Sequence, residues 1–318
     1  MDTPQIQDAP TKPGGPIGTV MAALATPLDE AGAIDTVSLG RLVSHILTGG
    51  ADGLCPAGST GEGPLLSRST RVYLVEAVTA CAPPGTPIIP GTVSVNADEA
   101  LADIEAYTQA GATAVLVPPP FYYPLNDGAV ADFYEYLAAR SPLPILLYNI
   151  PAMTKVSISP AVVSQIAGNS AIAGMKDSSR DMEYFSAVAA TVGAGVDFDL
   201  LTGSDTLLGA SLASGGKGTI AASVNLVPDL ASALYAASMS GTPDARDLQA
   251  KLAQVVFACR KPGFPAGWKA ALSLAGLCKA NMAAPLRPAT SQATETLRAE
   301  LESVLGSKGQ LGSKGQVP

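Results

Sequence analysis

Histidine is almost absent from this chain: His45 stands alone, inside an apolar helical pattern of Val37, Leu42, Val43 and Ile46. One histidine excludes by count every multi-histidine metal centre, and its place in that helical pattern argues against a Ser-His-Asp triad. Charge is scarce too. Charged residues make up 14% of the sequence, against about a quarter in an ordinary soluble chain, so part of the surface is expected to be buried against other subunits. The net charge is −8, and no stripe of Lys and Arg exists to neutralise phosphates, which argues against a nucleic-acid partner. A small anion would need local capture. Cys55, Cys81, Cys259 and Cys278 are too dispersed for a zinc framework and form no Cys-x-x-Cys pair, so they read as reduced, mostly buried thiols. The N-terminal stretch has no basic region followed by an apolar segment. The apolar run Val20–Leu24 is far too short to span a bilayer and leads into Thr26-Pro27. The expectation is a cytoplasmic protein with no membrane span and no metal.

What the chain has in quantity is apolar residues, 47% of 318, enough for one large domain with a thick core. Apolar β-type runs recur every 27–35 residues for most of its length: near 18–25, 52–56, 87–92, 113–117, 144–148, 171–176, 198–202 and 217–222. Amphipathic or Ala-rich stretches lie between them, such as Val37–Leu47, Arg71–Cys81, Ala97–Ala110 and Asp181–Thr191. Strands that are continuously rather than alternately apolar, each followed by a helix, predict a parallel sheet covered by helices. Closed on itself, that sheet is a (β/α)8 TIM barrel. A doubly wound open sheet is the alternative, although no Gly-x-Gly-x-x-Gly opens the first helix. Asp205 to Ser214 leaves little room for the seventh helix. The organisation expected is a loose tail over 1–15, the barrel over 16–226, further helices over 227–305, and a second tail over 306–318, where Gly-Ser-Lys-Gly-Gln occurs twice.

In such a barrel the chemistry sits where strands end. The fifth predicted strand ends at Tyr148 and the sixth at Lys176. Neighbouring parallel strands would project both side chains into one mouth. A lysine attacks a ketone only as the free amine, and near pH 7 an unperturbed one is neutral about one time in a thousand. Burial shifts that balance, and a phenol within reach can relay protons to and from the carbinolamine. A surface lysine at a strand terminus is the other reading of the same pair.

The second strand end, Ala57-Gly58-Ser59-Thr60-Gly61-Glu62-Gly63, combines glycines with two adjacent hydroxyls and fits a nest for a small carboxylate. It also fits an ordinary turn with a Ser59-x-x-Glu62 capping box. Pro118 to Pro124 forms a stiff loop whose Phe121, Tyr122 and Tyr123 would cap a site, line an interface or simply pack together. At Gly203-Ser204-Asp205-Thr206, Gly203 permits close approach to a ligand, while Ser204 or Asp205 would serve equally as an N-cap. Gly215-Gly216-Lys217-Gly218 precedes the eighth strand, on the stability face, and reads as a helix-terminating turn rather than a phosphate loop.

Gly58-Ser59-Thr60-Gly61-Glu62, Phe121-Tyr122-Tyr123-Pro124, Tyr148-Asn149-Ile150-Pro151 and Gly174-Met175-Lys176-Asp177 are similar, in order and spacing, to the signatures of the dihydrodipicolinate synthase and N-acetylneuraminate lyase family. The resemblance covers roughly residues 16–305 and extends to Gly203-Ser204-Asp205 and Trp268-Lys269-Ala270-Ala271-Leu272. It implies a class I, pyruvate-dependent aldolase or lyase on a (β/α)8 barrel, with no metal or organic cofactor. On that resemblance Lys176 takes the Schiff-base position and Tyr148 that of the proton-relay phenol. Ser59 and Thr60 match the pair that holds the 2-oxo acid's carboxylate, and Thr60 joins the catalytic set. Tyr122 matches a tyrosine contributed by a neighbouring subunit, which makes a homo-oligomer, a dimer of dimers, the expected state. Gly203, Asp205, Thr206, Ile220, Ser223 and Met153 fall at positions that meet the rest of the substrate.

Two departures bear on the substrate. Dihydrodipicolinate synthases carry an arginine five residues after the catalytic tyrosine, where this chain has Met153. Sialate lyases carry a glutamate where this chain has Thr206. Loss of a bidentate arginine from an anion site is not conservative. The expected reaction is therefore cleavage or formation of another 2-oxo acid, such as a 2-keto-3-deoxy sugar acid or 4-hydroxy-2-oxoglutarate, with neutral or hydroxylated acceptors ranked above aspartate semialdehyde. A genuine 4-hydroxy-tetrahydrodipicolinate synthase and a non-catalytic keto-acid-binding barrel are the alternatives.

Overall fold

A computed structural model describes residues 17–192 and 195–306. The stretches expected as tails, 1–15 and 306–318, lie outside those residues apart from Gly306. Seven strands are described: β1 (Val20–Ala23), β2 (Gly53–Cys55), β3 (Val115–Val117), β4 (Ile145–Asn149), β5 (Ile172–Asp177), β6 (Asp199–Thr202) and β7 (Gly218–Ala221). All of their pairings are parallel, in the order β2-β1-β7-β6-β5-β4-β3.

The gap between β2 and β3 is filled by the expected third run, residues 87–92. Ile88 bridges Leu54 and Gly91 bridges Leu116. Leu54 N–H donates to Pro87 O, Ile89 N–H to Leu54 O, Thr113 N–H to Ile88 O and Leu116 N–H to Pro90 O. Pro87 and Pro90 have no N–H to return, so the ladder on this segment is thinned to single bridges. It is nevertheless the eighth stave. With β1 paired to β7, the sheet closes into the (β/α)8 barrel and the open-sheet alternative is excluded.

Helices follow the staves in turn: α1 (Thr36–Thr48), α2 (Arg68–Cys81), α3 (Ala97–Gln109), α4 (Asp127–Ala138), the short α5 (Pro151–Thr154) with α6 (Pro160–Ile166), α7 (Met182–Thr191), α8 (Leu208–Ala213) and α9 (Pro228–Ser240). Their starts are written in the sequence. Asp35, Ser67, Asn96, Asn126, Ser159 and Asp181 each accept a backbone N–H of the first turn, satisfying donors that a helix leaves open. The seventh helix, α8, is only 6 residues long, as the short interval requires. α9 packs beside α8, α1 and β1 and completes the ring. Beyond it come α10 (Ala245–Arg260), α11 (Ala266–Leu274) and α12 (Ser291–Leu305). α10 lies against α9 and against the turn over 205–207, which brings its C-terminal end to the mouth of the barrel.

Two apolar layers result. Residues facing out of the staves join the helices in the larger core. Met21, Cys55, Ile89, Leu116, Leu146, Leu201 and Ile220 fill the lumen, so the barrel is a packed core below its mouth. Lys217, in the Gly-Gly-Lys-Gly turn, pairs with Asp199 on the N-terminal side of the sheet, consistent with a stabilising rather than a phosphate-binding turn.

Candidate active site

β4 and β5 pair in register through Leu147 and Met175, then Tyr148 and Lys176, then Asn149 and Asp177. Because side chains alternate along a strand, Tyr148 and Lys176 point together into the mouth and Asn149 and Asp177 point together outward. The outward pair makes a brace. Asn149 Nδ2 donates to Asp177 Oδ1 at 2.8 Å, Ile158 N–H donates to Asn149 Oδ1 at 3.1 Å, and Ser179 Oγ donates to Asp177 Oδ2 at 2.8 Å. Burial raises the Asp177 carboxyl above its ordinary value, with the hydrogen bonds from Asn149 and Ser179 opposing it. This brace fixes the loop that leaves β5.

The inward pair opens on a cavity of about 230 Å³ lined by Ser59, Thr60, Tyr148, Met153, Lys176, Gly203, Asp205 and Ile220, with Ser178, Arg180, Arg260, Phe264 and Trp268 among the other walls. Lys176 is buried, and its Nζ lies 4.5 Å from the centroid of the Tyr148 ring. The Tyr148 hydroxyl is 3.4 Å from Ser59 Oγ, so the phenol has the lysine over its ring and the serine at its hydroxyl. Cys55, fully buried at the end of β2, has its thiol pushed up to about 11 by burial, with Lys176 opposing. Gly203 leaves room for both side chains: a Cβ at that position would come within 2.7 Å of Lys176 Cε and 2.0 Å of Ser178 Oγ, so either would have to move.

In the 57–63 loop, Ala57 and Glu62 both take left-handed backbones, with φ of 57° and 59°. No capping box forms. The Glu62 carboxylate instead meets Lys269 Nζ at 2.8 Å and accepts Ala283 N–H at 2.6 Å. Among the described residues the N–H groups of Ser59 and Thr60 donate to nothing, which suits a nest for an anion.

The other expected positions divide. Met153 is on the cavity wall and 56% exposed. Asp205 is buried on the wall and accepts Ser223 N–H at 2.9 Å, so it ties the loop after β6 to the turn after β7 and is not a helix cap. Ser223 itself is buried behind that contact, and neither it nor Thr206 is on the wall. The hydrogen bond to Asp205 holds the Ser223 backbone there, and Thr206 lies in the turn over 205–207 that faces α10. Tyr122 is 77% exposed, packed edge-on against Tyr123 with ring centroids 5.0 Å apart, and borders a separate groove with Val95, Asn96 and Pro120. Within one chain it does not reach Lys176. Arg180, Arg260, Phe264 and Trp268 were not anticipated. Arg180 lies four residues beyond Lys176 and was within reach of a strand-end reading, whereas Arg260, Phe264 and Trp268 come from the helices after the barrel and carry no local pattern that points to the mouth.

Comparison with known proteins matches residues 16–304 to the Dihydrodipicolinate synthetase family. A 4-hydroxy-tetrahydrodipicolinate synthase of Synechococcus is 34% identical over 278 residues, 86% of this chain and 90% of that protein. The solved dihydrodipicolinate synthase of Thermotoga maritima superimposes with a TM-score of 0.88 at 28% identity, over 91% of this chain and 99% of that one. YagE, a prophage protein of Escherichia coli K12 from the same family, solved in complex with pyruvate, gives a TM-score of 0.86 at 27% identity over 90% and 98%. Agreement in sequence, in fold and along nearly the whole length leads to one conclusion: this chain belongs to the dihydrodipicolinate synthetase family, the pyruvate-dependent carbon–carbon lyases built on a TIM barrel.

Proposed function

We propose that the protein is a Schiff-base aldolase in which Lys176 forms the imine and Tyr148 moves the protons, acting on a 2-oxo acid other than the product of aspartate semialdehyde, with no metal or organic cofactor. One observation carries this reading: a buried lysine whose nitrogen opens on a cavity, in register with a tyrosine 4.5 Å away. The substrate carboxylate sits on the Ser59 and Thr60 hydroxyls and N–H groups. That seat holds C2 before Lys176, whose free amine adds to the carbonyl; loss of water leaves an iminium. Tyr148, left as the phenolate after giving its proton to the departing water, takes the proton of the C4 hydroxyl while the C3–C4 bonding pair moves into the iminium, releasing an aldehyde and leaving an enamine. Protonation at C3 and hydrolysis then yield pyruvate and the free lysine. Run backwards, the same groups condense pyruvate with an aldehyde. Gly203, Asp205, Ile220 and Met153 line the part of the cavity left for the remainder of the substrate.

Reduction with borohydride in the presence of pyruvate tests the chemistry directly. A stable mass increase on Lys176 is expected; unmodified protein would instead indicate a barrel that only binds keto acids. The synthase reading draws on the name of the Synechococcus relative, and aspartate semialdehyde as the best acceptor would establish it. Met153, with no guanidinium to pair the carboxylate of that aldehyde, supports the opposite ranking.

We also propose a homo-oligomer, because the loop of Phe121, Tyr122 and Tyr123 is exposed and the chain carries little charge. A sedimentation mass of one protomer would overturn it. A cytoplasmic setting is supported by four free cysteines. No helix among the described residues is long and apolar enough to cross a membrane.

A further inference from the structure

The wall above Lys176 carries two guanidiniums that the chemistry proposed above leaves idle. Arg180 follows β5 and Arg260 ends α10; both line the cavity. Among the described residues neither side chain makes a hydrogen bond or an ion pair. They are close enough to be felt: burial lowers the pKa of Arg260, and the charge of Arg180 lowers it further, with Asp205 opposing. Arg180 also holds a left-handed backbone, φ 66°, uncommon for a long side chain, directly after the Asn149, Asp177 and Ser179 brace.

Like charges brought together with only Asp205 to oppose them call for an explanation in a chain with a net charge of −8. Lys176, Arg180, Arg260 and Asp205 are the charged residues on this wall, and Asp205 already accepts Ser223 N–H. The wall is therefore cationic, local capture of an anion in an acidic protein. Guanidiniums present planar forks of donors matched to carboxylate and phosphate oxygens.

We propose that Arg180 and Arg260 form a subsite for an oxyanion on the part of the substrate that departs as the aldehyde, so that the preferred acceptor ends in a carboxylate or phosphate with no neighbouring ammonium. The assignment rests on Lys176 as the imine lysine, and it departs from the sequence-based expectation of neutral or hydroxylated acceptors, which was drawn from positions 153 and 206. Aspartate semialdehyde remains disfavoured, since its α-ammonium would face two like charges.

Paired acceptors condensed with pyruvate test the subsite: glyoxylate against glycolaldehyde for a carboxylate, and glyceraldehyde 3-phosphate against glyceraldehyde for a phosphate. The anionic member of at least one pair should be favoured in kcat/KM by about tenfold to a hundredfold, the range of a charge-assisted hydrogen bond. The pair that shows the preference identifies which oxyanion the site takes. Raised salt should compress the preference, and Arg180→Gln with Arg260→Gln should bring the ratio near one. Borohydride trapping of pyruvate on Lys176, measured in the same proteins, reports the imine separately. Intact trapping with no anionic preference in the unaltered protein, or a preference that survives in the double variant, would overturn the subsite alone; absent trapping in the unaltered protein would overturn the imine reading beneath it.

Discussion

Among the described residues two lysines are buried, and they are treated in opposite ways. Lys269, on α11, is 2% exposed and Lys176 is 4% exposed. Lys269 Nζ meets Glu62 Oε1 at 2.8 Å, Thr26 O at 2.6 Å and Asn281 O at 2.9 Å. Its ammonium is thus held by two hydrogen bonds to carbonyls and one ion pair. Lys176 Nζ has none of this: among the described residues it faces the ring of Tyr148 at 4.5 Å and an open cavity. Burying a charge is costly unless it is paired and hydrogen-bonded. Lys269 shows what this protein does with a lysine needed for structure, and the bareness of Lys176 is what the proposed imine chemistry requires.

The sharpest way to break this contrast is to remove each lysine. Lys176→Ala should abolish borohydride trapping and turnover while leaving the thermal midpoint unchanged or higher, because no partner is orphaned. Trapping that persists would move the imine to another lysine. Lys269→Met should do the reverse. It leaves Glu62 buried without its cation, which costs about 3–5 kcal/mol in comparable cases, yet at low temperature pyruvate should still be trapped on Lys176. Adding Glu62→Gln should recover part of the loss in denaturant unfolding; no recovery would mean that Lys269 matters for its packing and not for its pairing.

Tyr148→Phe sharpens the active side of the comparison. The ring beside Lys176 survives and the hydroxyl near Ser59 does not, so kcat should fall about 10²–10⁴-fold with little change in pyruvate binding. An unchanged kcat would remove Tyr148 from the relay.

The same contrast explains how much could be read from the sequence. β4 and β5 were legible because each is a continuous apolar run closed by one polar side chain, and a period-2 strand leaves little choice about which way Tyr148 and Lys176 point. The third stave was legible in position only. Pro87 and Pro90 remove the donors that would have made it a regular strand, a backbone effect that hydrophobicity alone does not show. The alternative readings of Glu62 and Asp205 as capping groups were local, whereas their partners, Lys269 with Ala283 and Ser223, lie far along the chain. Arg260 was out of reach for the same reason. It arrives from α10 because that helix packs on the turn over 205–207, and no spacing within the sequence encodes that contact. Tyr122 marks the other boundary, since the role expected of it in a second copy leaves no sign in one chain.

Each buried lysine also has a buried thiol beside it, and this gives the finest test of the comparison. Burial pushes Cys55 up to about 11 against the opposing charge of Lys176. It pushes Cys278 up to about 11 against that of Lys269. The ordinary thiol value is 9.0 in both cases. A folded value above the unfolded one means that the native state holds its proton longer, so stability is intact below pH 9 and is lost as pH rises through 9 toward 11. Two units correspond to about 3 kcal/mol per thiol, at order-of-magnitude level. Unfolding free energies measured across that window should fall, and Cys278→Ala should flatten part of the fall at the cost of a small cavity visible at all pH values. At pH 8, by contrast, a thiol reagent should label Cys81, which is exposed, well before the other three. If Cys55 is labelled as fast as Cys81 in the native protein, the floor beneath Lys176 is not closed, and the bareness of that lysine would reflect access to water, which hydrates it as Glu62 pairs Lys269, and not a site held free for a substrate.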